Sequence, residues 1–175
     1  MTARRRLPAD DDAIRRLNDA AFGGPAESKL ISDLRLAGLA VIELVALADG
    51  DIAGHILFSE LSIRSDGRPV DALALAPMAV RPDHQRAGIG SALVRAGLEA
   101  ARGGKWRAVI VLGHPSYYPR FGFSVERARH LKAPFRGDAF MALEFVPGAL
   151  DGAEVSVVYP PAFGVTPPPA PSPAG

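Results

Sequence analysis

The sequence predicts a mixed α/β fold in which an antiparallel β-meander feeds a βαβ unit. Three observations lead there. Two β-rich runs meet at Asp49-Gly50, a dipeptide favoured in two-residue hairpin turns. A third such run follows the turn "SDGRP". After it, "GIGSALVRAGLEAARGG" carries apolar residues at helical spacing and leads into "RAVIVL", a continuous apolar run of the kind buried on both faces of a parallel sheet.

The elements follow in order. After the short "TARRRL" segment, Pro8 and an acidic start open an amphipathic helix with Ile14, Leu17, Ala21 and Phe22 on its apolar side. "GGP" at Gly23 to Pro25 ends it. A second helix runs from about Glu27 to Leu36 and stops at Gly38, a natural C-cap. "AVIELVALADGDIAGHILFSELSI" and "VDALALAPMAV" supply the three meander strands. Pro77 lies inside the last of them, where a residue without an N–H belongs at an edge or bulge.

The long helix has its stripe at Ile89, Leu93, Ala96 or Gly97, and Ala100, and ends at Gly103-Gly104. Strand, helix and strand from about Leu73 to Leu112 form the βαβ unit, whose crossover is expected to be right-handed. "HPSYYPRFGF" reads as a short helix or turn, and "FMALEFVP" and "EVSVVYP" as two late strands. Residues 1–164 are read as a single domain. The proline-rich stretch 165–175 lacks the apolar content to bury a face and is expected to be disordered.

Composition narrows the function. A formal charge of +1 provides no drive toward nucleic acid or an anionic membrane. No apolar run reaches the roughly 20 residues that span a bilayer, and acidic "ADDD" stands where a signal peptide needs its apolar segment. A cytoplasmic location is expected. With no cysteine, disulfides, thiolate metal sites and a cysteine nucleophile are all excluded. The four histidines show no paired ligand spacing, so no metal is expected.

"QRAGIG" places two glycines where a helix must begin, although glycine costs about 1 kcal/mol relative to alanine within a helix. A dinucleotide GxGxxG fails because its third glycine would be Leu93, and no GxxxxGK[ST] exists. Two readings stay open on the glycines alone: a tight turn, or a helix N-terminus that holds a pyrophosphate on its free amides.

The spacing Gln85-x-x-Gly88-x-Gly90, preceded by "MAVRP", resembles the acetyl-CoA signature of the GNAT superfamily of N-acetyltransferases. The element order agrees, and the likeness spans roughly Arg4 to Val146. "YYPRFGF" and "YPPAF" resemble a bacterial branch. The GNAT fold then implied has a strand that splays from its parallel neighbour at a bulge, which gives Pro77 a place. The resemblance implies that backbone of Met78, Ala79 and Val80 binds pantetheine and the acetyl carbonyl. It implies that Gln85, Arg86, Ala87, Gly88, Ile89, Gly90 and Ser91 hold the pyrophosphate. Acetyl-CoA is the implied cosubstrate. Many relatives carry an asparagine where this chain has Val111.

Acyl transfer from a thioester needs a neutral amine, oxyanion stabilisation and a proton for the thiolate. Without cysteine or a GxSxG elbow, direct attack by a primary amine in a ternary complex is expected. By resemblance, Tyr118, four residues before Gly122-Phe123, is the acid; the alternative is that Tyr117 and Tyr118 are both packing residues. Glu60, late in the second meander strand on the face of Ile56 and Phe58, is the candidate base, its pKa expected to rise among apolar neighbours; the alternative is a solvated carboxylate at the strand end. His55 falls on the opposite face, and His84 in the phosphate turn. The acceptor is a small-molecule or peptide amine, and a homodimer is compatible with the sequence. The rival reading is a catalytically idle GNAT domain that binds acyl-CoA as a sensor or assembly module.

Overall fold

Two turns with paired left-handed residues set the meander. Asp49 and Gly50 have φ of +52° and +83°, and Asp66 and Gly67 have +49° and +79°. Both are the φ signs of a type I′ turn, whose twist matches that of the strands it joins. The computed structural model describes residues 1–165. In it β1 (Thr2–Arg5), β2 (Ala40–Ala48), β3 (Asp51–Ser65) and β4 (Arg68–Val80) pair antiparallel in sequence order. β5 (Ala108–Leu112) adds parallel to β4, and β6 (Phe140–Glu144) antiparallel to β5. β7 (Val155–Val158) pairs with the far end of β3.

Helix α1 (Asp11–Phe22) and α2 (Ala26–Leu36) cover one face of the sheet, with Ile14, Ile31 and Leu34 packed on Val45 and Leu57. Helix α3 (Ile89–Arg102) covers the other, burying Ile89, Leu93, Val94 and Leu98 against Leu44, Ile56, Phe58 and Leu73. The stripe differs from the expected one: Ala100 is exposed, and Ala101 takes the buried place. Gly97 explains how close this helix comes. A Cβ there would stand 2.2 Å from the Phe58 ring, so the helix-propensity cost of glycine is offset by direct packing on the sheet.

Two elements were not legible in the sequence. β1 is a polar edge strand without apolar alternation, and α4 (Val125–Ala128) is a single turn capped by Ser124. The proline-rich stretch lies outside the described residues except for Val165. No helix among the described residues is long and apolar enough to cross a membrane.

β4 is where the sheet opens. Its parallel pairing with β5 runs from Ala72↔Ala108 to Leu75↔Val111 and stops there. On its other edge the register shifts across Ala76 and Pro77, between Phe58↔Leu75 and Ile56↔Met78. From Met78 to Val80 the strand is held by β3 alone, so one backbone edge is left unpaired by the sheet. Pro77 stands at the point where pairing ends, a position that forfeits little.

A buried polar chain pins the α1–α2 layer. The Asn18 amide donates to His55 Nδ1 at 3.3 Å, which leaves the ring proton on Nε2 to donate to Glu43 at 2.8 Å. Arg35 reaches the same carboxylate from α2. Burial pushes the Glu43 carboxyl up, but the hydrogen bonds from His55 and Arg35 outweigh it and hold the pKa down at about 2. His55 is thus part of the scaffold.

Candidate active site

The turn between β4 and α3 is built around left-handed backbone. Arg86 has φ of +64° and Gly88 of +84°, and Gly88 is the N-cap of α3. The first helical bond runs from the Ala92 N–H to the Gly88 carbonyl at 3.0 Å. Amides before it have no intrahelical acceptor, and no side chain caps the helix. Donors and the positive end of the helix dipole therefore face outward together. Gln85 donates to the Val80 carbonyl at 3.2 Å and closes the turn, while Arg81 binds Asp83 at 2.6 Å. Hydrogen bonds from Arg81 and then His84 hold the Asp83 carboxyl far below the usual carboxylate range.

A cleft of about 810 Å³ opens on this turn. Its wall includes Met78, Ala79 and Val80 from the open part of β4, and Gln85, Arg86, Gly88, Ile89, Gly90 and Ser91 from the turn and helix. Ala87 is absent from that wall. The two glycines have different reasons. Gly88 supplies the left-handed conformation, with open space where a side chain would go; Gly90 supplies room, since a Cβ there would lie 3.3 Å from the Tyr117 hydroxyl and 3.4 Å from Met78 Cε.

A second cavity of about 420 Å³ meets the first at Phe22, Met78, His114 and Tyr117. Tyr118 lines it and is buried, and burial, with a smaller contribution from Tyr117, pushes its phenol up to about 12. The group is held as a proton donor at neutral pH. Gly113 makes space for the ring: a Cβ there would stand 2.3 Å from Tyr118 Cε2. Tyr117 is more than a packing neighbour. Its hydroxyl lies 3.0 Å from Ser91 Oγ, and Arg120 stacks over its ring at 4.6 Å.

A family model described as "Acetyltransferase (GNAT) domain" matches residues 41–125. The protein named uncharacterized N-acetyltransferase YhbS of Escherichia coli (strain K12) is 32% identical over 162 residues, covering 91% of this chain and 96% of that protein. The chain belongs to the GNAT family of N-acetyltransferases. Two solved GNAT structures share its fold. That of YhbS from Escherichia coli in complex with CoA has a TM-score of 0.83 at 31% identity, over 93% of this chain and 91% of that one. A Brucella melitensis GNAT acetyltransferase in complex with acetyl-CoA has a TM-score of 0.76 at 33% identity, over 93% and 97%.

Within this GNAT chain, Glu60 stands apart from the rest. It is exposed and lines neither cavity. Beyond Phe58, β3 alternates buried Leu61 and Ile63 with exposed Glu60, Ser62 and Arg64. The expected burial is absent, and Glu60 is not brought to either cavity. The second cavity instead gathers Glu27 from α2 with Phe22, Phe135, Tyr159 and Phe163. These come from four separate segments, and no local spacing links them. No cluster of three or more metal-ligating side chains exists among the described residues.

Proposed function

We propose that the chain moves an acetyl group from acetyl-CoA to a primary amine by direct attack within a ternary complex. The junction of two cavities at Met78 and Tyr117 carries this reading: one side suits the cofactor, the other the acceptor. The fit to acetyl-CoA rests on the uncapped first turn of α3, the left-handed backbone at Arg86 and Gly88, and the unpaired edge of β4 from Met78 to Val80. That edge accepts an extended amide chain as it would another strand. Both CoA and acetyl-CoA are bound by the GNAT relatives described above.

Acetyl-CoA, when bound, supplies an activated acyl carbon and a thiol leaving group. Met78 to Val80 offer backbone donors to the developing oxyanion. Tyr118, protonated at neutral pH, donates to the departing sulfur as the carbon–sulfur bond breaks, and the proton released by the attacking nitrogen restores the phenol. The chain has no cysteine to carry an acyl intermediate, which favours attack by the amine itself. The test is free-thiol release from acetyl-CoA against a panel of primary amines. Amine-dependent release with a matching N-acetylated product supports the reading; tight acetyl-CoA binding without release for any amine sinks it.

A further inference from the structure

The acceptor side of the second cavity has an uneven chemistry. Its walls are mainly aromatic and aliphatic, including Phe22, Leu30, Phe135, Tyr159 and Phe163, and carry one carboxylate, that of Glu27, and one imidazole, that of His114. Glu27 is half-buried in the first turn of α2. The nearby cation Lys29 is engaged by Asp33 at 2.5 Å and does not neutralise it. Among the described lining residues there is no lysine or arginine. The aromatic wall is braced: Tyr159 packs edge-on against Phe135 and also contacts Phe163, with ring centroids 5.1 Å apart in both pairs. Phe163 in turn packs among the residues of the α1–α2 layer, so one set of contacts positions both the rings and the helix bearing Glu27.

We infer that the acceptor is a monoamine on an aryl or branched alkyl body that lacks a carboxylate; its ammonium pairs with Glu27 on binding and loses one proton to solvent, and the neutral amine then attacks. The inference rests on the reading of the neighbouring cleft as the acetyl-CoA site. Three alternatives fare worse on the same wall. A free amino acid would bring a carboxylate with no lysine or arginine on the wall to receive it, His114 where the two cavities meet being the one basic side chain there. A polyamine or aminoglycoside would bring several ammonium groups to a single carboxylate. An uncharged, fully apolar guest would leave Glu27 desolvated without a partner. A small aromatic or branched body matches the walls, and a cavity of about 420 Å³ shared with the thioester end has room for a compact one.

The test uses the full-length protein with acetyl-CoA and four probes: 2-phenylethylamine, 3-methylbutylamine, phenylalanine and spermidine. Thiol release gives kcat and KM, and calorimetry gives the affinity of each probe for the CoA-loaded protein. We expect one of the two monoamines to exceed phenylalanine and spermidine at least tenfold in kcat/KM. Glu27→Gln should raise its KM at least tenfold, with kcat changed less than threefold and acetyl-CoA affinity retained. Preference for phenylalanine or spermidine overturns the inference, as does an unchanged KM in the Gln variant. If a monoamine binds in a Glu27-dependent way but no thiol is released, the transfer reading fails and the pocket assignment stands. If neither monoamine binds or turns over while acetyl-CoA binds, the pocket assignment fails.

Discussion

The Tyr117 hydroxyl lies 3.0 Å from Ser91 Oγ, so the segment after β5 is tied to the first turn of α3 across the cleft. That bond joins the walls on either side of the proposed cofactor site. Removing it with Tyr117→Phe keeps the ring, its edge contact with Tyr118 and the stacked Arg120. Acetyl-CoA affinity should fall about three- to tenfold, the scale of one net hydrogen bond. Ser91→Ala should give a similar loss, and the double variant should be no worse than either alone. Calorimetry on the three variants decides it; additive losses would mean the two hydroxyls act separately.

Tyr118 is tested by its chemistry. With its pKa pushed up to about 12, the phenol remains protonated at neutral pH, as the proposed role of acid requires. Tyr118→Phe preserves shape and should fold normally. Turnover is expected to fall about 10²-fold while acetyl-CoA affinity stays within a few-fold. Steady-state thiol release together with calorimetry separates the two effects. Turnover equal to the parent would make Tyr118 a packing residue.

Gly90 faces both Tyr117 and Met78. A valine there would place its Cβ 3.3 Å from the Tyr117 hydroxyl and its methyls further into the cleft. Gly90→Val should weaken acetyl-CoA binding at least tenfold, about 1.4 kcal/mol. Only the ends of two side chains need to shift, so the melting temperature should change little. Unchanged affinity in a folded variant would remove the phosphate-cradle reading.

Glu43 makes stability depend on acid. Its carboxyl titrates at about 2 in the folded chain against 4.5 as the ordinary value. A depressed pKa contributes stability that is fully present above 4.5 and is lost as pH falls toward 2. The contribution is about 3 kcal/mol at neutral pH, on the scale of 1.36 kcal/mol per unit. Denaturant unfolding between pH 6 and pH 3 should show the decline, and Glu43→Gln should flatten it while lowering stability at pH 7. A variant with the parent's pH slope would place the acid sensitivity elsewhere.

Much of this architecture is written locally. Asp49-Gly50 specifies its hairpin because only certain residues tolerate two successive left-handed conformations, and the helical stripe of α3 reports its buried side. Pro77 marks the end of a ladder because a missing N–H is a property of one residue. Gly88 and Gly90 lie two positions apart in sequence and share the wall of one cleft, since a turn and the first turn of a helix are local objects. The absence of cysteine removed a whole class of mechanism before any fold was known.

Other features arise only when distant segments meet. β7 finds the end of β3, and Glu60, a carboxylate that alternation places on the face of Ile56 and Phe58, is left in solvent. Tyr117 gains its role from Ser91, 26 positions away in the chain. Glu27 looks like any surface carboxylate on an amphipathic helix until Phe135, Tyr159 and Phe163 close around the same cavity. Local sequence carries conformational preference over a few residues; exposure and side-chain partnership depend on what the rest of the chain places opposite. The proposed cofactor cleft was therefore legible in a short motif, and the proposed acceptor cavity arises where tertiary packing brings separate segments together.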